Sequence, residues 1–143
     1  MAVITFDHAD IGCCYPGSLD ESYNVTTTMS GVAGHALYQD PTTGGYGLAK
    51  AAASGTAGFR GIALEDFLVS GCISMLRRGH LYGYVLTGMS YDDPVYLSNT
   101  EGMLDTAAGD VSVIVGRVVS VNDPSKEKVI YIDAEYASGS DLG

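Results

Sequence analysis

Turn signals recur along this chain at intervals that leave room for strands and little else. "DPTTGG" at 40–45, "SGTAG" at 54–58, "VSG" at 69–71, "RRG" at 77–79, "YDDP" at 91–94, "NTEG" at 99–102, "AAGD" at 107–110 and "NDPSKE" at 122–127 each carry glycine or proline. Between them lie "HALYQ", "YGLAKAA", "RGIAL", "CISML", "LYGYVL", "PVYLS", "VSVIVGRVVSV" and "KVIYIDAEY", all of strand length. The spacing predicts an all-β fold, a small β-sandwich or barrel of short antiparallel strands, with no room for βαβ crossovers. The best helix candidate, "ALEDFLVSGCISML", is interrupted by Ser70–Gly71, which reads as a turn.

The last two strand segments form the clearest pair. "SVIVGRVVSV" is apolar on both faces apart from Arg117, the pattern of a central strand. "VIYIDAEY" alternates, placing Ile130, Ile132 and Ala134 on one face and Val129, Tyr131, Asp133 and Glu135 on the other. The linker "NDPSKE" makes them a long hairpin that keeps Pro124 out of the ladder.

The first thirty residues differ. Phe6, Ile11, Tyr15, Leu19, Tyr23 and Val25 are scattered apolar anchors without a sustained period, the pattern of an extended arm that gains order from a partner. The organisation read from sequence is therefore an N-terminal arm over 1–30, a β-domain over 31–136 and a loose tail over 137–143.

Composition narrows the function classes. At 143 residues the chain suits one domain, which buries about two-thirds of its unfolded surface and needs no disulfide staple. Seventeen acidic residues against seven basic ones give a formal charge of −10, which argues against nucleic acid and anionic membrane as partners. The one basic knot, Arg77 and Arg78 beside His80, is too short to track phosphates and reads as a solvated turn or an interface contact. "MAVITFDHAD" has no basic n-region or long apolar h-region, which leads us to expect folding in a cytoplasm. Cys13, Cys14 and Cys72 read as reduced thiols there, Cys72 as a small buried hydrophobe.

Each candidate for chemistry has a plainer reading. Glu65 and Asp66 are a carboxylate pair, but neighbours on a strand point to opposite faces and do not converge on one substrate. Arg60 belongs to the same glycine-bounded "GFRGIALEDF". Asp92 and Asp93 precede proline and read as turn formers that cap local backbone. Asp7, His8, Asp10, Cys13 and Cys14 lie close together, yet they lack the paired spacing of a zinc site. A Cys–His pair can be drawn from Cys13 or Cys72 with His8, His35 or His80, and nothing local singles one out. "GGYG" and "GTAG" do not match a phosphate-cradling loop. By elimination the reading is a non-enzyme without catalytic residues, metal or cofactor.

"VAGHALYQDPTTGGYGLAKAAASGTAGFRGIALEDFLVSGCISML", then "SYDDPVYLSNTEGMLDT" and "VSVIVGRVVSV", resemble the strand punctuation of capsid cement, or head decoration, proteins of tailed bacteriophages. The resemblance covers roughly 31–134. It implies a structural virion protein on the outer capsid surface, folded in the host bacterial cytoplasm, that clamps major capsid protein subunits, commonly as a homotrimer. On that reading the arm residues Phe6, Ile11, Tyr15, Leu19, Tyr23 and Val25 contact the capsid. Tyr82, Tyr84, Tyr96, Arg77 and Arg78 become subunit-interface candidates. The alternative is a glycan- or receptor-binding β-sandwich of a phage fibre or tail, with Tyr82, Tyr84, Tyr91 and Tyr96 as a stacking platform.

Overall fold

The computed structural model describes residues 3–13, 21–120 and 128–134. Its strands are β1 (Val3–Ile4), β2 (Gly12–Cys13), β3 (Glu21–Thr26), β4 (Ala36–Gln39), β5 (Tyr46–Leu48), β6 (Phe59–Ala63), β7 (Cys72–Tyr82), β8 (Pro94–Leu97), β9 (Leu104–Asp105), β10 (Ile114–Val119) and β11 (Val129–Asp133). They join one curled antiparallel sheet in the order β1-β9-β8-β10-β11-β7-β6-β4-β5, a half-barrel, with β2 and β3 also pairing with β7. Short 3₁₀ turns occur at His8–Asp10 and Ser54–Thr56. The all-β class expected from the turn spacing is the observed one.

β7 holds the sheet together. One edge carries β3 along residues 72–78 and β2 at 81–82, while the other carries β6 at 75–76 and β11 at 78–81. The expected turn at Arg77–Arg78–Gly79 therefore does not form. Arg78 is in register with both Glu21 and Asp133, and its guanidinium Nε lies 3.6 Å from the Asp133 carboxylate. Ladders on both sides, reinforced by an opposite-charge pair in register, outweigh the local turn preference. The strand ends only at Gly83, where φ is +112° and a Cβ would stand 2.7 Å from the Asp10 carbonyl oxygen.

The apolar residues divide into two cores, one on each side of the β4–β5–β6–β7 wall. The larger contains Ile4, Ala36, Phe59, Ile62, Leu76, Leu81, Tyr84, Val95, Leu97, Leu104, Val115, Val118, Ile130 and Ile132. The smaller contains Val25, Leu37, Leu48, Ala63, Phe67, Ile73 and Met75. Chain neighbours Ala36 and Leu37, or Ile62 and Ala63, thus serve different cores, which is why these segments read as unbroken apolar runs rather than alternating ones.

The C-terminal hairpin pairs Gly116 with Ile132 through to Val119 with Val129, and β10 lies between β8 and β11 as a central strand. Its one cation, Arg117, donates from Nη1 to the Asp92 carbonyl at 3.1 Å. Val129, assigned from alternation to the polar face, is fully buried. The segment considered for a helix supplies the end of β6, a turn and the start of β7.

Candidate interaction surface

Apart from the 3₁₀ turn at His8–Asp10, the described parts of the first thirty residues run along the protein's own sheet. β1 pairs with β9, Phe6 bridges to Tyr84, β2 pairs with the end of β7, and β3 pairs with its beginning. Phe6 and Ile11 pack partly buried against the larger core, and Val25 is buried in the smaller one. Three of the six arm anchors thus already cover apolar surface of this chain. Tyr15 and Leu19 lie outside the described residues, as do Cys14, residues 121–127, Glu135 and residues 136–143. Tyr23 is described only as backbone, within β3.

Phe6 sits in a specific seat. Gly34 beneath it has φ +99°, and a Cβ there would stand 2.5 Å from the Phe6 ring. The ring stands edge-on to His35 at 5.8 Å and to Tyr84 at 5.3 Å between centroids. The Tyr84 hydroxyl donates to the Gly34 carbonyl, and the backbone N–H of Val32 donates to His35 Nδ1 at 3.2 Å. Burial holds the His35 pKa below the ordinary imidazole value, an effect that Glu101 and Asp66 partly offset.

The carboxylates of "GFRGIALEDF" organise backbone. Both lie beyond the end of β6, and they diverge to different partners. Glu65 accepts from the Ser74 N–H at 3.0 Å, whereas Asp66 accepts from the Ala33 N–H at 3.0 Å and lies 3.1 Å from His8 Nδ1. The Ala33 N–H is the main reason that the Asp66 carboxyl is more acidic than usual, with His8 adding to it. Arg60 donates from Nη1 to the Phe59 carbonyl at 3.0 Å.

Immediately after Asp66 comes a feature that sequence reasoning passed over. Phe67 exchanges two backbone bonds with Gly31. Thr27, only 3% exposed, then bolts the following turn: its Oγ1 donates to the Leu68 carbonyl at 2.6 Å and accepts from the Gly71 N–H at 3.0 Å. Ser70 takes φ +63° and donates its N–H to the Thr27 carbonyl at 2.8 Å. The result is a firmly held turn that leaves Leu68 75% and Val69 61% exposed. Beside this knuckle runs an open groove of about 390 Å³ between Glu65, Phe67, Leu68, Cys72 and Ile73. Cys72, expected to be buried, is exposed. The sequence does carry a signal, since "LVSG" places two large aliphatic residues where a turn ordinarily holds polar ones.

The structure takes Tyr84 out of the tyrosine platform. Tyr84, considered for an interface and for sugar stacking, is 7% exposed and belongs to the core. Gly83 breaks the strand between it and Tyr82, so the two do not share a strand face. Tyr96 is on β8, separated from β7 by β10 and β11. Tyr91 is 47% exposed, with Lys128 Nζ 5.7 Å from its ring centroid. Arg77, Arg78 and Tyr82 are half-buried on β7. Asp93 accepts from the Ser90 N–H at 2.8 Å, the capping role expected of it, while Asp92 takes φ +69° within the turn and its carboxylate lies 3.8 Å from Arg117. Among the described residues no helix is long and apolar enough to cross a membrane.

Compared with known proteins, the chain matches no family model, no curated protein and no solved structure.

Proposed function

We infer that the protein is a structural, non-enzymatic decoration protein of a tailed-phage head, bound to the outer capsid surface and bracing neighbouring major capsid protein subunits. The observation that carries this reading is the knuckle at Leu68–Val69. A turn fixed by Thr27 and Gly31 holds two large aliphatic side chains in water, and preorganisation of that kind lowers the cost of docking onto another protein. The phage-like strand punctuation adds to it: "GIALED" begins within β6, "PVYLS" contains β8 and "VGRVVS" falls largely in β10. Many copies on one shell, each contributing a modest contact, sum to firm attachment. A homotrimer at three-fold positions is the assembly that the resemblance implies.

The contact is not confined to the arm on this reading. Ile4 and Val25 are core residues, so removing residues 2–25 strips away part of both cores along with any contact surface. The test is co-sedimentation of the full chain with expanded, undecorated shells, counting copies bound. Saturable binding at the number of three-fold positions supports the reading. Failure to bind cognate shells, combined with binding to a glycan array, transfers it to the fibre or tail alternative.

A further inference from the structure

We propose that His35 is a proton-operated clasp on the N-terminal segment, residues 3–13: the neutral ring holds Phe6 on the sheet, and the protonated ring releases it. The inference rests on the fold and is independent of the decoration reading.

The geometry begins with the tautomer. His35 Nδ1 accepts from the Val32 N–H at 3.2 Å, so the docked ring is neutral and carries its proton on Nε2. A second proton can enter only at Nδ1, where it faces the Val32 N–H and turns an attraction into a clash of donors. That bond braces the turn containing Gly34, which lies directly under the Phe6 ring. The imidazole and the Phe6 ring stand nearly perpendicular, and Gly102 lies against the imidazole carbons Cγ and Cδ2. Charging it there costs hydration that the apolar neighbours do not restore.

The ionisable groups around the ring do not reverse this sign. Glu101 and Asp66 favour the imidazolium through space, but burial outweighs them. The Tyr84 phenol is committed to the Gly34 carbonyl and stays neutral throughout the acid range. His8 Nδ1 lies 3.1 Å from the Asp66 carboxylate at the surface. That pair is about half exposed on both sides and contributes little. With the folded value depressed, the stabilisation is fully present above about pH 6.5 and is lost as pH falls through the folded value.

What moves is defined by the contacts that Phe6 anchors. The Val85 N–H donates to the Thr5 carbonyl at 2.8 Å, and Phe6 bridges to Tyr84, so both report whether the segment is down. β1 and β2, at the two ends of residues 3–13, keep their own ladders and make the opening local.

The test is amide hydrogen exchange of the full chain at pH 7.5 and 5.0, corrected for the intrinsic rate. Opening at Val85 is expected to rise at least about threefold at the lower pH in the wild type and in His8→Gln. Val118, whose N–H donates to the Asp93 carbonyl, should not change. His35→Gln keeps an acceptor that does not titrate and should lose the pH response. A flat Val85 profile in the wild type overturns the proposal, as does a response that survives in His35→Gln or disappears in His8→Gln. Should His35→Gln not fold, NMR titration of the His35 ring decides: a value clearly below 6.5 sustains the clasp, and an ordinary or raised one overturns it.

Discussion

The Tyr84 hydroxyl donates to the Gly34 carbonyl at 2.8 Å across 50 residues of sequence. This bond fastens the chain just beyond β7 to the turn that seats Phe6, and both partners are buried. Tyr84→Phe keeps the ring and strands the carbonyl. It is expected to cost about 1–2 kcal/mol in urea denaturation. An unchanged midpoint and slope would show that the carbonyl has another partner.

The same burial sets the alkaline limit. Desolvation raises the Tyr84 phenol far above its ordinary value, so the folded state keeps a proton that the unfolded chain releases near pH 10. The contribution is fully present below that value and is lost as pH rises above it. Tyrosinate absorbance during alkaline titration should show a step for the Tyr84 phenol that comes only together with unfolding. In Tyr84→Phe that step should vanish.

Thr27→Val leaves the shape of the bolt and removes its chemistry. The Leu68 carbonyl and the Gly71 N–H both lose their bond to Oγ1. A cost of roughly 1–3 kcal/mol is expected, with faster amide exchange at Ser70 and Gly71. If stability falls while exchange in the turn stays unchanged, Thr27 acts through packing alone.

Leu68→Asp and Val69→Asp change side chains that touch little of their own protein. Stability should remain within about 0.5 kcal/mol of the wild type. Binding to undecorated shells should weaken by roughly tenfold or more if the knuckle is a contact centre. Undiminished copy number with either variant would remove the knuckle from the interface.

Where sequence and structure agree, the agreement comes from local rules acting without competition. β8 begins at its proline, β10 and β11 show apolar patterning, and Asp93 caps the turn that its residue type suggests. Where they part, a long-range partner decided. Arg77–Arg78–Gly79 has turn-like punctuation, but strands remote in sequence lie along both of its edges. Phe6 and Ile11 look like anchors for a partner because the surface they cover, around Gly34 and Tyr84, is assembled from later segments. The knuckle was legible only in part. "LVSG" names the exposed residues, while the threonine that fixes them lies 41 residues earlier, within a run of three threonines that gives no reason to choose Thr27.

β7 lends its two faces to different cores, with Ile73 and Met75 on one side and Leu76 and Leu81 on the other. A chain built around such a shared wall has no seam. Recombination that cuts within 72–82 gives each product an incomplete partition, and a graft of either half brings a wall shaped for the half left behind. Change can enter such a lineage by substitution and by loop length at the strand ends, and much less readily by exchange of parts.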